Sequence, residues 1–273
     1  MSGFGERFRR AGYQIPKPLI EVDGKPIIEH VVNMFPGEDD FLFICNEDHL
    51  GETSYKMREV LNRICPTGSI VGIPAHKLGP VHAIQCVQDM VADQEPVIVN
   101  YCDFTCFWDW GHFKAFVQQS KCDGAIPAYR GFHPHALGPT NYAYMKESRQ
   151  WLEDIQEKRP FTDDRMNEFA SSGTYYFRTA SQMLSAFDAM RQQQLHVGGE
   201  YYVSLAYKPM IADQMRIAVY ALQHFMQWGT PEDLEEYRQW SHAFARLSDD
   251  SSPSPACEAG HMIMPMAGLG KRF

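Results

Sequence analysis

The sequence predicts an α/β protein of three layers, a mostly parallel central sheet with helices on both faces. Three observations predict it. Short continuous apolar runs of strand length alternate with longer segments whose apolar residues recur at helical spacing. That alternation is the pattern of strand–helix–strand units. The 273 residues are 44% hydrophobic, 22% charged and 13% aromatic, which supplies a large core and excludes a disordered or fibrous chain. The length suits one large domain or two small ones.

Taken in order, Phe41-Leu42-Phe43-Ile44-Cys45 is an apolar run of the kind found in buried strands. Val81 to Val91 has helical spacing, Pro96 to Tyr101 reads as a strand, and Phe113 to Gln119 as a helix. Ala125–Tyr129 and Thr174–Phe177 are further strands, and Gln182–Gln194 and Tyr201–Ala212 further helices. Arg216–Tyr220 is a late strand. Pro231 to Leu247 is a closing helix, with Thr230 as its cap and Glu232 and Asp233 in the first turn. In such sheets ligands bind at the carboxyl ends of the strands.

Beyond this main domain, residues 1–247, the composition changes. Residues 248–260 are Ser/Pro-rich and read as a solvated linker. Residues 261–273 then offer an apolar strand and a glycine loop. Met266-Ala267-Gly268-Leu269-Gly270-Lys271-Arg272-Phe273 repeats Met1-Ser2-Gly3-Phe4-Gly5-Glu6-Arg7-Phe8 at five of eight positions. The first copy has no strand leading into it, and Met262 to Met266 could fill that slot. The expectation is a circularly permuted order in which Gly268, Gly270 and Arg272 take the phosphate-loop role; the bland alternative is the unpaired start of a second copy.

Charge and cysteines narrow the function. A net charge of −9 argues against a nucleic-acid partner, while a local Arg/Lys cluster can still bind one anionic substrate. No apolar run approaches ~18 residues, so no membrane span is expected, and the N-terminus lacks the apolar stretch of a secretory signal. Seven cysteines without a CxxC pair read as reduced thiols in a cytoplasmic protein. Cys102 with Cys106, or His76 with His82, makes only a weak case for metal binding. Self-association into a homo-oligomer stays open.

One constellation carries chemistry. Gly3-x-Gly5-x-Arg7 lets backbone N–H groups approach a phosphate closely and adds a guanidinium fork. Lys17 follows as a point charge. Taken alone, Gly-x-Gly is more often a glycine turn with solvated basic residues. The continuation changes the balance. Pro16-Lys17-Pro18-Leu19-Ile20-Glu21-Val22-Asp23-Gly24-Lys25-Pro26-Ile27-Ile28, together with the glycine loop, resembles the signature of the sugar-phosphate nucleotidyltransferases, which join a nucleoside triphosphate and a sugar 1-phosphate.

The resemblance runs from residue 1 to about 240 and implies a Rossmann-like nucleotidyltransferase fold. It implies that Gly3, Gly5 and Arg7 hold the triphosphate and that Lys17 contacts the reacting phosphates. Lys25 is also typical of it, as a ligand or as a structural residue. Gly79, in His76-Lys77-Leu78-Gly79-Pro80, takes the place of the loop that reads the base, though Gly-Thr-Ala is more usual there. Asp103, after the strand ending at Asn100-Tyr101, corresponds to the Mg²⁺-binding carboxylate; a turn or cap role is the alternative. Glu157 and Lys158 match a Glu-Lys-Pro segment that binds the sugar and its phosphate. Gly173 and Glu200 fall in two further substrate-contacting segments.

A second departure bears on the metal. Gln227 stands where a second metal-binding Asp is usual, which weakens a two-carboxylate Mg²⁺ site and admits acceptors other than hexose 1-phosphates, such as choline-phosphate-like or amino-acid phosphates. The expected activity is Mg²⁺-dependent transfer from an NTP to a phosphorylated small-molecule acceptor, giving an NDP-sugar and pyrophosphate, within nucleotide-sugar and polysaccharide synthesis. A metal-dependent glycosyltransferase is the first rival, although it would not need the glycine loop and Lys17. A non-catalytic nucleotide-sugar-binding regulatory protein is the second, and Gln227 supports it.

Overall fold

The computed structural model describes residues 1–248 except 2, 4, 92, 93, 132, 134–137, 139 and 140. The strands are β1 (Glu21–Val22), β2 (Lys25–Pro26), β3 (Leu42–Asn46), β4 (Ser69–Ile73), β5 (Val97–Asn100), β6 (Phe104–Phe107), β7 (Gly124–Tyr129), β8 (Ala143–Ser148), β9 (Trp151–Glu157), β10 (Phe169–Ser171), β11 (Thr174–Phe177), β12 (Ile217–Ala221) and β13 (His224–Gln227). The helices are α1 (Glu6–Arg10), α2 (Ile27–Val32), α3 (Glu47–Gly51), α4 (Met57–Ile64), α5 (Pro80–Gln85), α6 (Trp110–Ser120), α7 (Ala180–Gln192), α8 (Tyr207–Ala212) and α9 (Pro231–Ser248).

The α/β class and the two helical faces are present, but the expected mostly parallel sheet is not. Seven strands run in the order β10-β8-β9-β12-β7-β11-β5, with β10 also bonded to β7. Within this sheet β12 and β7 pair in parallel, whereas β5 with β11, β7 with β11, β8 with β9 and β8 with β10 are antiparallel. The reason is local. β8 and β9 are joined by Arg149 and Gln150, both at positive φ, and a two-residue turn of that kind can only return the chain antiparallel. Neither strand stands out in the sequence as an apolar run. A second pair, β3 with β4, is parallel and forms its own sheet. No helix of the described residues is long and apolar enough to cross a membrane.

Burial on both sides explains why the central strand reads as a continuous apolar run: all six residues of β7 are buried. Ile126 and Ala128 pack with Phe177 and Val219 against Met183, Phe187 and Met210 of α7 and α8. Ala125, Tyr129 and Ala218 face the other way, against Trp110, Phe113 and Val117 of α6. Gly124 has no room for a side chain, since a Cβ would lie 2.6 Å from the Tyr207 ring.

A third core closes the N-terminal part. Phe8, Leu19, Ile20, Ile27 and Ile28 pack with Phe43, Leu61, Trp228 and Leu234, so the first thirty residues rest on the segment entering α9. The helix expected over residues 81–91 is shorter, with α5 ending at Gln85 and a 3-10 turn at Gln88–Met90. Tyr201–Ala212 likewise divides into a 3-10 turn, Val203–Ala206, and α8. The expectations for residues 249–273, including Gly268, Gly270, Arg272 and the permuted strand, lie outside the described residues.

Thr230 caps α9 as its sequence suggested. Its Oγ1 accepts from the Asp233 backbone N–H at 3.1 Å and donates to the Asp233 carboxylate at 2.9 Å. Thr230→Ala should therefore lower stability by about 1 kcal/mol, the usual cost of losing such a cap. Urea unfolding measures it.

Candidate functional site

The site is assembled at the end of β5, where the chain leaves the sheet. Asn100 is held by Thr174 Oγ1, which donates to its Oδ1, and by its own Nδ2, which donates to the Tyr101 carbonyl at 2.7 Å. The Tyr101 N–H then donates to the Gly173 carbonyl at 3.0 Å. Gly173 needs its glycine here: its φ is +99°, and a Cβ would lie 3.0 Å from Phe104 and 3.2 Å from Tyr101. Three residues past the strand end, Asp103 projects from the turn into β6.

Lys17 meets Asp103 directly, Nζ to Oδ2 at 2.8 Å. The lysine sits on the first turn of the 3-10 segment Lys17–Leu19, and its ammonium lies 5.6 Å from the centre of the Phe8 ring. Burial works against its charge, but Asp103 and Cys102 outweigh burial and raise the Lys17 pKa. Lys17 is therefore a permanent cation.

Gln227 reaches the same place. β13 pairs with β6 so that Gln227 lies opposite Phe104, and the Trp228 N–H donates to the Asp103 carbonyl at 2.9 Å. Gly229 opens the space between them: a Cβ there would stand 2.3 Å from Gln227 Nε2 and 3.3 Å from Asp103 Oδ2. A carboxylate and an amide thus converge beside a cationic lysine. Asp109 instead caps α6, accepting from the His112 N–H at 2.8 Å.

Glu157 ends β9, with Lys158 next to it, and acts on the Tyr101 phenol. Glu157 accepts from Ser204 Oγ at 2.6 Å. Its burial pushes the carboxyl pKa up to about 7, with Glu200 adding to the rise and Ser204 and Lys158 opposing it. Lys158 leaves the strand at φ +60°, and its ammonium lies 4.4 Å above the Tyr202 ring and donates to the Tyr202 hydroxyl. Tyr202 in turn donates to the Glu200 carboxylate. Glu200, expected as a substrate contact, has this tyrosine as its partner.

The glycine loop and the base-side loop complete the ring of groups. Glu6 pairs with Lys77 at 2.7 Å, which holds α1 beside the segment containing Gly79. Gly79 has φ +88°, and a Cβ on it would lie 2.6 Å from both the backbone N and O of Tyr201. The loop is fixed by Tyr201 N–H to Leu78 O at 3.0 Å and Val81 N–H to Tyr201 O at 3.2 Å. Arg7 is exposed, close enough for its charge to act on both Lys17 and Tyr202. Gly5 adopts φ +63° before α1, and nothing lies within 4 Å of a Cβ built on Gly3.

Of the expected residues, the structure brings together Arg7, Lys17, Asp103, Glu157, Lys158, Gly173, Glu200 and Gly79, and adds Gln227 next to Asp103. Lys25 lies elsewhere, 3.8 Å from Glu29 in a surface cleft of about 390 Å³ that none of Lys17, Asp103 or Lys158 lines. No group of three or more His, Cys, Asp or Glu that could hold a metal occurs among the described residues. Cys106 is buried in the α6 core with its thiol pushed up to about 12 by desolvation, and the His76 and His82 rings stack edge to face at 4.7 Å. Tyr202, Ser204 and Phe8 escaped the sequence reading: each serves a partner through tertiary contact, and Tyr202 stands 44 residues from Lys158.

Residues 2–168 match the MobA-like NTP transferase domain. The chain belongs to this family. The match spans the glycine loop, Lys17, Gly79, Asp103, Glu157 and Lys158, and ends before Gly173, Glu200 and Gln227. Among curated relatives, the mannose-1-phosphate guanylyltransferase catalytic subunit beta of Danio rerio is 24% identical over 238 residues, covering 85% of this chain and 61% of that protein. The mannose-1-phosphate guanyltransferase of Schizosaccharomyces pombe is 26% identical, covering 61% of this chain and 46% of its own length. The chain thus spans about half to three fifths of such relatives. A nucleoside-diphosphate-sugar pyrophosphorylase from Vibrio cholerae RC9 shares the fold at TM-score 0.68 and 21% identity, covering 88% of this chain and 98% of that one. The CTP:phosphocholine cytidylyltransferase of Streptococcus pneumoniae shares it at TM-score 0.62 and 16% identity, covering 88% and 96%.

Two outcomes follow from the MobA-like geometry. Gly79→Ala should cost at least about 1–2 kcal/mol, because a side chain is strained at that φ, and Tyr201 leaves no space. Urea unfolding and nucleotide titration would both register it. For Glu157, a folded-state pKa above the unfolded value means stability is fully present below the ordinary carboxylate range and lost as pH rises toward about 7. Glu157→Gln removes that loss, so the Tm advantage of the variant should grow from pH 5 to pH 8. A constant difference would count against the assignment.

Proposed function

We propose that this chain transfers a nucleotidyl group from an NTP to a phosphorylated small-molecule acceptor, a sugar 1-phosphate or a similar phosphate. An oxygen of the acceptor phosphate attacks the α-phosphorus in line; the new P–O bond forms as the bond to the β-phosphate oxygen breaks, and pyrophosphate leaves. The observation that carries this reading is the convergence of Lys17, Asp103 and Gln227 at the end of β5, with Glu157 near enough to act on the Tyr101 phenol.

Such a reaction asks for position and charge neutralisation rather than covalent help. Arg7 stands at the open side and suits the departing pyrophosphate. Lys17, beside Asp103, and Lys158, beside Tyr202, are two cations, one for each phosphate group that must approach. Glu157, half-buried beside Ser204, suits the acceptor's polar groups, and Gly173 lets the backbone pass close to Tyr101 and Phe104.

The donor set suits Mg²⁺. A carboxylate oxygen from Asp103 and the amide oxygen of Gln227 are hard ligands, and phosphate oxygens commonly complete such a shell; Gly229 keeps the space between the two side chains clear. Bound there, Mg²⁺ would supply positive charge to the triphosphate. Lys17 currently holds Asp103 Oδ2, so metal and nucleotide entry would exchange one cation for another at that oxygen. The free cysteines suit a reducing compartment such as the cytoplasm.

Four NTPs, each mixed with Mg²⁺ and a panel of phosphorylated acceptors, should yield pyrophosphate in at least one pairing. Its absence throughout, with nucleotide binding retained, would favour the regulatory reading that Gln227 supports. Asp103→Ala should reduce turnover about 10²–10⁴-fold, the scale of removing one preorganised charge-stabilising group, while the fold persists; unfolding would make Asp103 structural. Gln227→Asp should lower the Mg²⁺ concentration for half-maximal rate, and an unchanged or higher requirement would remove Gln227 from the ligand set.

A further inference from the structure

We propose that Tyr202, backed by Glu200, is a positioning residue that aims the Lys158 ammonium at the acceptor phosphate. The inference rests on the proposed nucleotidyl transfer and adds a residue beyond the stretch, 2–168, that matches the family.

Three observations meet at Tyr202. Its ring lies under the Lys158 ammonium at 4.4 Å, a distance at which the aromatic face attracts a cation. Its hydroxyl accepts from Lys158 Nζ and donates to Glu200, so the oxygen is committed on both sides. Burial, with Glu200 adding to it, raises the phenol pKa, which keeps the proton on Tyr202 and its direction of donation fixed.

Lysine has four rotatable side-chain bonds, and holding its head group in one place costs rotamer freedom. A ring below and a hydroxyl beside restrict that freedom before substrate arrives. The other lysine of the site is held alike: Lys17 lies over Phe8 and is tied to Asp103. Each cation has an aromatic seat and an oxygen partner, but the partner differs. Lys17 donates to the Asp103 carboxylate, and Lys158 donates to a hydroxyl that itself donates to Glu200. This chain of two hydrogen bonds fixes where the ammonium sits before the phosphate arrives.

The same short segment seats the nucleotide side. Tyr201, between Glu200 and Tyr202, carries on its backbone both hydrogen bonds that fix the Gly79 loop. Residues 200–202 therefore hold the acceptor lysine through side chains and the base-side loop through main chain. A side-chain change at 202 acts on the first without touching the second.

The test compares Tyr202→Phe, Lys158→Ala and the double variant by pyrophosphate release, with acceptor and NTP varied separately, and by the labelling rate of Lys158 with an amine-reactive acyl reagent followed by mass spectrometry. Tyr202→Phe keeps the ring and removes the hydroxyl. It should raise the acceptor KM about tenfold, the scale of one hydrogen bond to a charged group, with the NTP KM unchanged. Adding it to Lys158→Ala should change nothing further, and Lys158 should label faster in Tyr202→Phe than in the native chain. A rise in both KM values, or an added loss in the Lys158→Ala background, would make Tyr202 merely structural and overturn the proposal. Labelling needs no turnover. If the native chain releases no pyrophosphate, the nucleotidyl-transfer reading fails by itself, and an unchanged Lys158 labelling rate would still overturn the positioning role independently.

Discussion

The ion pair between Lys17 and Asp103 is the contact on which the site depends. It joins two parts of the chain 86 residues apart, the N-terminal loop region and the end of β5. Both partners are half-buried, where attraction is stronger than at a free surface and an unpaired charge would be costly. The pair keeps Lys17 charged against its own burial. It also places the first thirty residues over the strand end, because Phe8 and Leu19 on either side of the lysine pack into the core around Trp228.

From that pair the other groups follow in a closed circuit. Asp103 is held to Trp228 through the β6–β13 ladder, which brings Gln227 alongside. Tyr101, two residues before Asp103, is tied to Gly173, and its phenol pKa is raised by burial and by the nearby Tyr175 and Glu157. Lys158 rests on Tyr202, Tyr201 holds the Gly79 loop, and Lys77 returns to Glu6 beside Arg7. Few of these contacts are strong alone, and the exposed Glu6–Lys77 pair contributes little stability. Together they fix the Lys17–Asp103 pair relative to the Glu157–Lys158 segment.

Charge is distributed to match. The chain carries a net −9, yet Arg7 lies near enough for its charge to act on both Lys17 and Tyr202, the partner of Lys158, and such a local group of cations attracts an anion whatever the total. Glu157 is the exception, a buried carboxyl whose pKa near 7 places its change of charge in the physiological range. Gln227 lowers the negative charge beside Asp103 by one relative to a carboxylate pair. Both features separate this chain from a plain two-aspartate arrangement.

The sequence by itself determined much of the element list and marked the segments expected to bind phosphate. Apolar runs located β3, β5, β7, β11 and β12 because buried strands must be apolar whatever their neighbours. The Gly-x-Gly-x-Arg loop, Lys17, Asp103 and the Glu157-Lys158 pair were legible because a short segment carries each. Only the tertiary structure decided the sheet's direction, since antiparallel pairing was set by the two-residue turn at Arg149-Gln150 and by hydrogen bonds between distant strands. It alone decided that Glu200 serves Tyr202 and that Asp109 is a helix cap. Tyr202 is one tyrosine among thirteen until folding brings Lys158 across 44 residues onto its ring: periodicity records which face of an element is buried, and says nothing about which side chain of another element will meet it.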